Sequence, residues 1–205
     1  MKRFLLVLLV STVCVSPLLA QPTTDPYTHR WTLLAGLGQP LIGHGFNVAG
    51  TYFTRRITFE YSHGMFLRYT GALLSDKNIE SIYAQYSTGL GIGYRLTPYL
   101  DVRAEAKNHR FTAQLNSRQS VTYTNTDLGA GVYYRFYPFA RREVWSRGLV
   151  VEPSLRYWHY VYSTLPDVAV TYTTDAGQVM DHRPYNFGLF GNVSIGYTFG
   201  LLSKH

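Results

Sequence analysis

Cysteine is nearly missing from this chain. The only one is Cys14, inside a leader-like segment, so the remainder can form no disulfide, no thiolate nucleophile and no thiolate-bound metal site. Past that segment there is no run of about 18 apolar residues, which excludes a helical membrane span there. Phosphate-cradling glycines are missing too: Gly36, Gly38, Gly43 and Gly45 fall at strand ends rather than before a helix. His44, His63, His109, His159, His182 and His205 are scattered without ligand spacing, so no metal and no cofactor is expected.

The chain has an N-terminal export pattern and an unusual stock of aromatics. Lys2 and Arg3 precede an apolar run from Phe4 to Val10; Pro17 interrupts its weaker continuation, and Ala20 ends it. Residues 1–20 therefore read as a cleaved secretory signal and residues 21–205 as one domain. Losing Lys2 and Arg3 lowers the net charge from +7 to +5. The chain has 18 tyrosines, 11 phenylalanines and 18 glycines, a mixture suited to interfacial aromatic girdles around a barrel.

The clearest pattern is the last. Between Phe187 and Phe199 one parity holds Phe187, Leu189, Val193, Ile195, Tyr197 and Phe199. The other holds Asn186, Gly188, Asn192, Ser194, Gly196 and Thr198. Period two makes a strand with unlike faces. This one is long enough to cross a bilayer, which takes about 9–11 tilted residues. Eight such strands are expected, at 31–38, 46–54, 57–69, 82–96, 100–113, 126–137, 149–162 and 185–201. Connections at 55–56, 97–99 and 138–148 are tight or turn-like. They alternate with longer polar ones at 70–81, 114–125 and 163–184, although 39–45 is short. Short turns on one rim and long loops on the other suit a membrane barrel, and an even strand number puts both termini on the short-turn rim.

Charge follows parity. Leu100, Val102, Ala104 and Ala106 would face lipid, while Asp101, Arg103, Glu105 and Lys107 would face inward. An Arg or Lys on the lipid face at mid-membrane costs roughly 2–4 kcal/mol, and this segregation avoids it. The inward charges expected are Glu60, Arg68, Arg95, Asp101, Arg103, Glu105, Lys107, Asp127, Arg135, Glu152 and Arg156. Eight strands enclose a space that side chains just fill. Acids and bases nearly balance, so the simplest expectation is a lumen plugged by paired charges. A soluble β-sandwich or calyx would turn the charged parity to water instead. The glycines count against it: they share the charged parity, where a narrow interior is crowded and a soluble surface is not. The expected fold is all-β, an eight-stranded antiparallel up-and-down transmembrane β-barrel.

With these residues in view the chain resembles the small eight-stranded outer-membrane barrels of Gram-negative bacteria, the OmpA/OmpX type or outer membrane protein beta-barrel domain. The resemblance rests on the signal segment, the strand count and the stretch Val193-Ser194-Ile195-Gly196-Tyr197-Thr198-Phe199. It implies an outer-membrane location and makes Val193, Ile195, Tyr197 and Phe199 the signal read by the barrel-assembly machinery. Family members often end on the aromatic; here Gly200 to His205 follow.

The functional expectation is a structural or surface-interaction barrel, with any recognition of an extracellular protein on its long loops. The strand-like run 168–173 could extend a hairpin beyond the membrane and offer an edge to a partner. A narrow, porin-like small-solute channel is the alternative, and a lipid A-modifying enzyme a more distant one. For the latter, Ser62 and His63 point to opposite faces, and His159 lies roughly 13 Å along the strand from Ser163; no catalytic residues are assigned. The positive charge is read as meeting lipopolysaccharide phosphates or pairing inside, not as a nucleic-acid surface. Arg55, Arg56, Arg141, Arg142 and Arg147 on the short-turn rim would face anionic lipid headgroups.

Overall fold

Strands buried in hydrocarbon must pair on both sides, and a sheet manages this by closing on itself. The computed structural model of the chain describes residues 29–70, 79–115, 119–140, 145–165 and 170–199. The expected signal segment lies outside these residues, as do most of the 70–81 connection, Arg141, Arg142 and the tail beyond Phe199. The strands are β1 (Arg30–Gly36), β2 (Phe46–Phe53), β3 (Ile57–Thr70), β4 (Ser81–Arg95), β5 (Leu100–Gln114), β6 (Ser120–Tyr134), β7 (Leu149–Ser163), β8 (Val170–Thr173), β9 (Val179–His182) and β10 (Gly188–Phe199). Eight of them form one closed antiparallel barrel in the order β1-β10-β7-β6-β5-β4-β3-β2. The closure pairs β1 with β10 from Trp31↔Phe199 to Gly36↔Ser194.

The structure departs from the sequence reading in several places, among them the ends of β6 and of β10, the latter being Gly188–Phe199 rather than 185–201. β6 begins at Ser120, not 126, so the connection expected at 114–125 shrinks to the few residues between Gln114 and Ser120. Residues 39–43 form a single helical turn (Gln39–Gly43) between β1 and β2. Of the run expected to extend the last hairpin, the described residues 170–173 do not pair with β7 or β10. Instead β8 pairs with β9, from Val170↔His182 to Thr173↔Val179, as a separate hairpin.

The outside of the barrel is its greasy side. Leu90 is 67% exposed and Leu189 70%, and Trp31, Leu33, Phe59, Ile92, Leu128, Leu155 and Ile195 also project outward. Asp101, Arg103, Glu105, Asp127, Arg135 and Glu152 are buried inside. Ordinary soluble proteins do the reverse. A closed barrel clothed in apolar side chains and filled with charge is a transmembrane barrel. Its outer aromatics include a row from Phe199 through Trp31 and Tyr52 to Phe59, on four successive strands near the short-turn end. Tyr133 and Tyr137 are not part of such a girdle, because both are buried.

Partway along β3 to β6 this polarity exchanges. On β5 the outward residues change from Val102, Ala104 and Ala106 to Asn108, Arg110 and Thr112. The inward ones change from charged residues to Phe111 and Ala113. On β6 the outward sequence runs from Val132, Ala130 and Leu128 to Thr126, Thr124 and Thr122, while Tyr123 turns inward. Beyond the exchange the interior is an apolar core of Leu67, Ile82, Ala84, Phe111, Tyr123 and Tyr185, with Tyr172 of β8 packed into it. The barrel thus continues out of the membrane as a stretch built like a water-soluble protein.

On β3, β4 and β10 backbone irregularities accompany that switch. On β3 and β4, Phe66 and Gln85 drop out of the register on facing strands, and the β4–β5 register shifts between Ala84 and Tyr86. Phe66 takes φ 60°, a left-handed conformation rare for a bulky residue. The bulge flips parity, so Leu67 and Ala84 face inward and Arg68 is exposed. This corrects the inward placement of Arg68. At the start of β10, Gly188 takes φ 62°. Phe187, expected on the lipid face, instead packs against Tyr69, His109, Phe111 and Tyr185.

Spin labels placed singly at Val102, Ala104 and Ala106 should be relaxed by dissolved oxygen, and labels at Asn108, Arg110 and Thr112 by a water-soluble nickel reagent. Electron paramagnetic resonance in lipid vesicles reads the crossover, and oxygen-type relaxation at all six positions would contradict the boundary.

Candidate functional site

The barrel interior is the best-defined chemical environment in the molecule, and β5 supplies its spine. Asp101, Arg103, Glu105, Lys107, His109 and Phe111 all face inward from this strand, in that order from the short-turn end. They meet partners from β3, β6, β7 and the connection after β6.

Nearest the short turns is a direct ion-pair network. The guanidinium of Arg103 donates to Asp101 Oδ2 at 2.5 Å, to Glu152 Oε2 at 3.0 Å and to a carboxylate oxygen of Glu60. Arg135 donates to the other oxygen of Asp101 at 2.5 Å and approaches Glu152 at 3.6 Å. Two cations also lie over rings: Arg103 3.8 Å from the Tyr133 centroid and Arg135 4.1 Å from that of Phe53. Five buried charges from three strands and one connection thus satisfy one another, the condition under which charge tolerates burial. Arg95 donates to the carbonyl oxygens of Thr54 at 2.7 Å and Pro98 at 3.1 Å, tying two short turns together.

Further along, the contacts lengthen. Lys107 Nζ stands 3.6 Å from Glu105 Oε2, Arg156 4.0 Å from the same oxygen, and His109 Nε2 3.5 Å from Asp127 Oδ2. Lys107 also sits 4.7 Å from the Trp158 ring. Nine of the eleven charges expected inside are thus gathered along one lumen in two layers, Arg95 is inside but bound to backbone, and Arg68 is outside.

The inward glycines are spaces for these long side chains. Gly91 and Gly93 of β4 pair with Glu105 and Arg103 of β5, and Gly131 of β6 pairs with Arg156 of β7. A Cβ on Gly93 would lie 2.7 Å from Arg103 Cγ, and one on Gly131 2.7 Å from Arg156 Cγ. Either would push the charged stem off its wall.

At the loop end the apolar core forms a lid. Tyr69, Tyr185 and Phe187 pack with Phe111, and Asn125 Nδ2 donates to the Tyr185 carbonyl at 3.0 Å. The Tyr185 amide in turn donates to Tyr123 Oη at 3.2 Å. Burial pushes the Tyr185 phenol up to about 12. On the outer wall beside the lid, side chains form a polar ladder. Tyr86 Oη donates to Asn108 Oδ1, Asn108 Nδ2 to Thr126 Oγ1 and Gln85 Nε2 to Thr112 Oγ1. Arg68 and Arg110 are exposed on that wall.

His63 and His159, considered for catalysis, stand apart. His63 Nδ1 is 2.7 Å from Thr88 Oγ1 on the outer wall, and His159 Nδ1 is 3.3 Å from Asn186 Nδ2. Among the described residues no three His, Cys, Asp or Glu side chains converge as a metal site. Val193, Ile195, Tyr197 and Phe199 lie on the outward parity of β10. Sequence reasoning missed Phe53 and Trp158, the rings beneath Arg135 and Lys107; their one signal is inward parity on β2 and β7.

The fold and this interior define an eight-stranded transmembrane β-barrel with a charged lumen. No protein-family model and no curated protein matches the chain. Among solved structures, Ail, the attachment invasion locus protein of Yersinia pestis, is 16% identical over 83% of this chain and 99% of that one, with a TM-score of 0.42. The same protein in complex with the heparin analogue sucrose octasulfate matches at 16% identity over the same shares, with a TM-score of 0.40. At these scores the likeness adds nothing to what the strand pairing establishes.

Two outcomes test the site. Glu152→Leu strands buried guanidinium charge and should lower unfolding stability in micelles by about 3–5 kcal/mol, whereas Arg68→Ala on the surface should change it by about 0.5 kcal/mol or less; denaturant titration compares them. The lid should loosen in strong alkali. The Tyr185 phenol is neutral when folded and ionises more readily once exposed, near the ordinary value of about 10. The stability it contributes is therefore complete below that pH and lost as pH rises toward about 12. Tyrosinate absorbance and protease nicking near the β8–β9 hairpin follow it.

Proposed function

We propose that the protein is an outer-membrane barrel of a Gram-negative bacterium whose role is structural or surface-interacting, with a lumen closed to solutes. The observation that carries this reading is the exchange of polarity along β3 to β6. A strand set that leaves the bilayer with a packed apolar core and a polar wall builds a rigid platform above the membrane rather than a conduit through it. The Arg103–Arg135 network and the aromatic lid block the lumen at separate levels. The β8–β9 hairpin crowns the platform and is where an extracellular protein would be recognised.

The surrounding lipids fit the same reading. Arg68 and Arg110 stand just beyond the apolar belt, level with headgroup phosphates of the outer leaflet, lipopolysaccharide among them. Arg55 and Arg56 lie in the β2–β3 turn at the opposite rim, where anionic phospholipid would meet them. The outward row Val193, Ile195, Tyr197 and Phe199 serves the barrel-assembly machinery. No catalytic step is assigned.

In planar bilayers the purified mature chain should give no steady openings, and in gels it should migrate faster unboiled than boiled. Large, stable single-channel currents would replace this reading with the narrow channel. Removal of an acyl chain from lipid A in cells that make the protein would replace it with the enzyme.

A further inference from the structure

The lipid-facing wall is not evenly convex. A groove of about 970 Å³ crosses it, and its lining is almost wholly apolar. Strand register shows its course. Leu149, Tyr197, Leu33, Gly50 and Tyr61 stand opposite one another in turn on β7, β10, β1, β2 and β3. All five line the groove, and Phe139 lines it from the segment beside β7. Leu149 is the first residue of β7 and Tyr61 the fifth of β3. The row therefore climbs from the short-turn rim into the apolar belt. Four interstrand steps make it about 19 Å long. One leaflet holds roughly 15 Å of hydrocarbon, so a chain lying at this slant fits within it.

At the rim the groove meets two polar groups that lack partners. Trp145–Gly148 form a turn that leads straight into Leu149. The Tyr197 ring lies directly against Gly148, where it leaves no room for a side chain and holds the turn at the mouth of the groove. Ser146 Oγ and Arg147 Nε are removed from water and have no hydrogen-bond partner among the described residues. Arg147 as a whole is only half-buried, and Trp145 beside it is exposed. Exposed tryptophan is typical of the headgroup level of a bilayer. A guanidinium at that level suits phosphate.

We propose that the groove and this turn bind one phospholipid molecule from the leaflet at the short-turn rim. An acyl chain lies along the groove, and the phosphate accepts hydrogen bonds from Ser146 and Arg147. The choice of phospholipid rests on the outer-membrane reading above, in which that rim faces the periplasm and lipopolysaccharide fills the other leaflet. A groove alone would take any apolar partner. The cation at its mouth favours a lipid phosphate over the greasy face of a second barrel.

Native mass spectrometry of the full mature chain in mild detergent, titrated with dioleoyl phosphatidylglycerol, tests this. The wild-type barrel should hold one lipid at concentrations that leave further positions empty. Gly50→Trp should remove that adduct. A Cβ there meets only Leu33 Cδ2, at 3.7 Å, so the strand accepts a side chain that fills the groove. Arg147→Gln should weaken binding about ten-fold, the loss of one charge-assisted hydrogen bond. Ala104→Trp puts the same ring on the outer face of β5, outside the groove, and should change nothing. Unboiled gel migration checks that each variant is a folded barrel, so a lost adduct reports on the groove and not on the barrel reading. Equal, graded lipid uptake by all four proteins would overturn the proposal, leaving only ordinary solvation by lipid. So would a two-barrel mass that Gly50→Trp abolishes, or tighter binding of lipid A than of phosphatidylglycerol.

Discussion

A guanidinium held in the middle of a narrow barrel dictates what surrounds it. Arg103 is buried on every side, and removing its hydration is tolerable only because Asp101, Glu152 and Glu60 converge on it from three strands. That demand fixes the parity of β3, β5 and β7, since each must turn its acid inward. With parity fixed, the alternate residues must face outward, where the surroundings must accept leucine, isoleucine and phenylalanine. The lipid-facing coat and the charged interior are thus one constraint seen from two sides.

The exchange of polarity has a plain physical origin. Pleating makes neighbouring side chains alternate along the whole strand, but the medium outside changes once the strand leaves hydrocarbon. On β5 and β6 the alternation continues unbroken, and the residue types swap instead. On β3 and β4 a paired bulge also shifts the alternation itself. The apolar lid follows, because a barrel wall facing water needs an ordinary core behind it.

The strand count, the closed topology and the charged interior were legible in the sequence because each rests on period two, which local composition shows directly. What escaped has a specific cause in each case. The first half of β6, with Thr122, Thr124 and Asn125, resembles a loop to a reader who expects every lipid-side position to be apolar. Its β-branched threonines, alternating with Val121 and Tyr123, are a strand pattern for a wall in water. Arg68 was misplaced by a bulge at Phe66, and Phe187 by the left-handed turn at Gly188. Both are single backbone conformations, which alternation counted from one end of a strand does not reveal. The second charge layer was visible residue by residue, but its wider spacing was not, since distance across a lumen depends on every strand at once.

The glycines opposite β5 have a consequence for descent. Gly93 and Arg103 share a fixed allotment of room between two adjacent walls, as do Gly131 and Arg156. A lineage that trims one of these arginines to a short residue leaves a hollow that bulk at the facing glycine would fill. Among descendants of this chain, the identities at such facing positions should drift in tandem, large for small, with their combined size held steady.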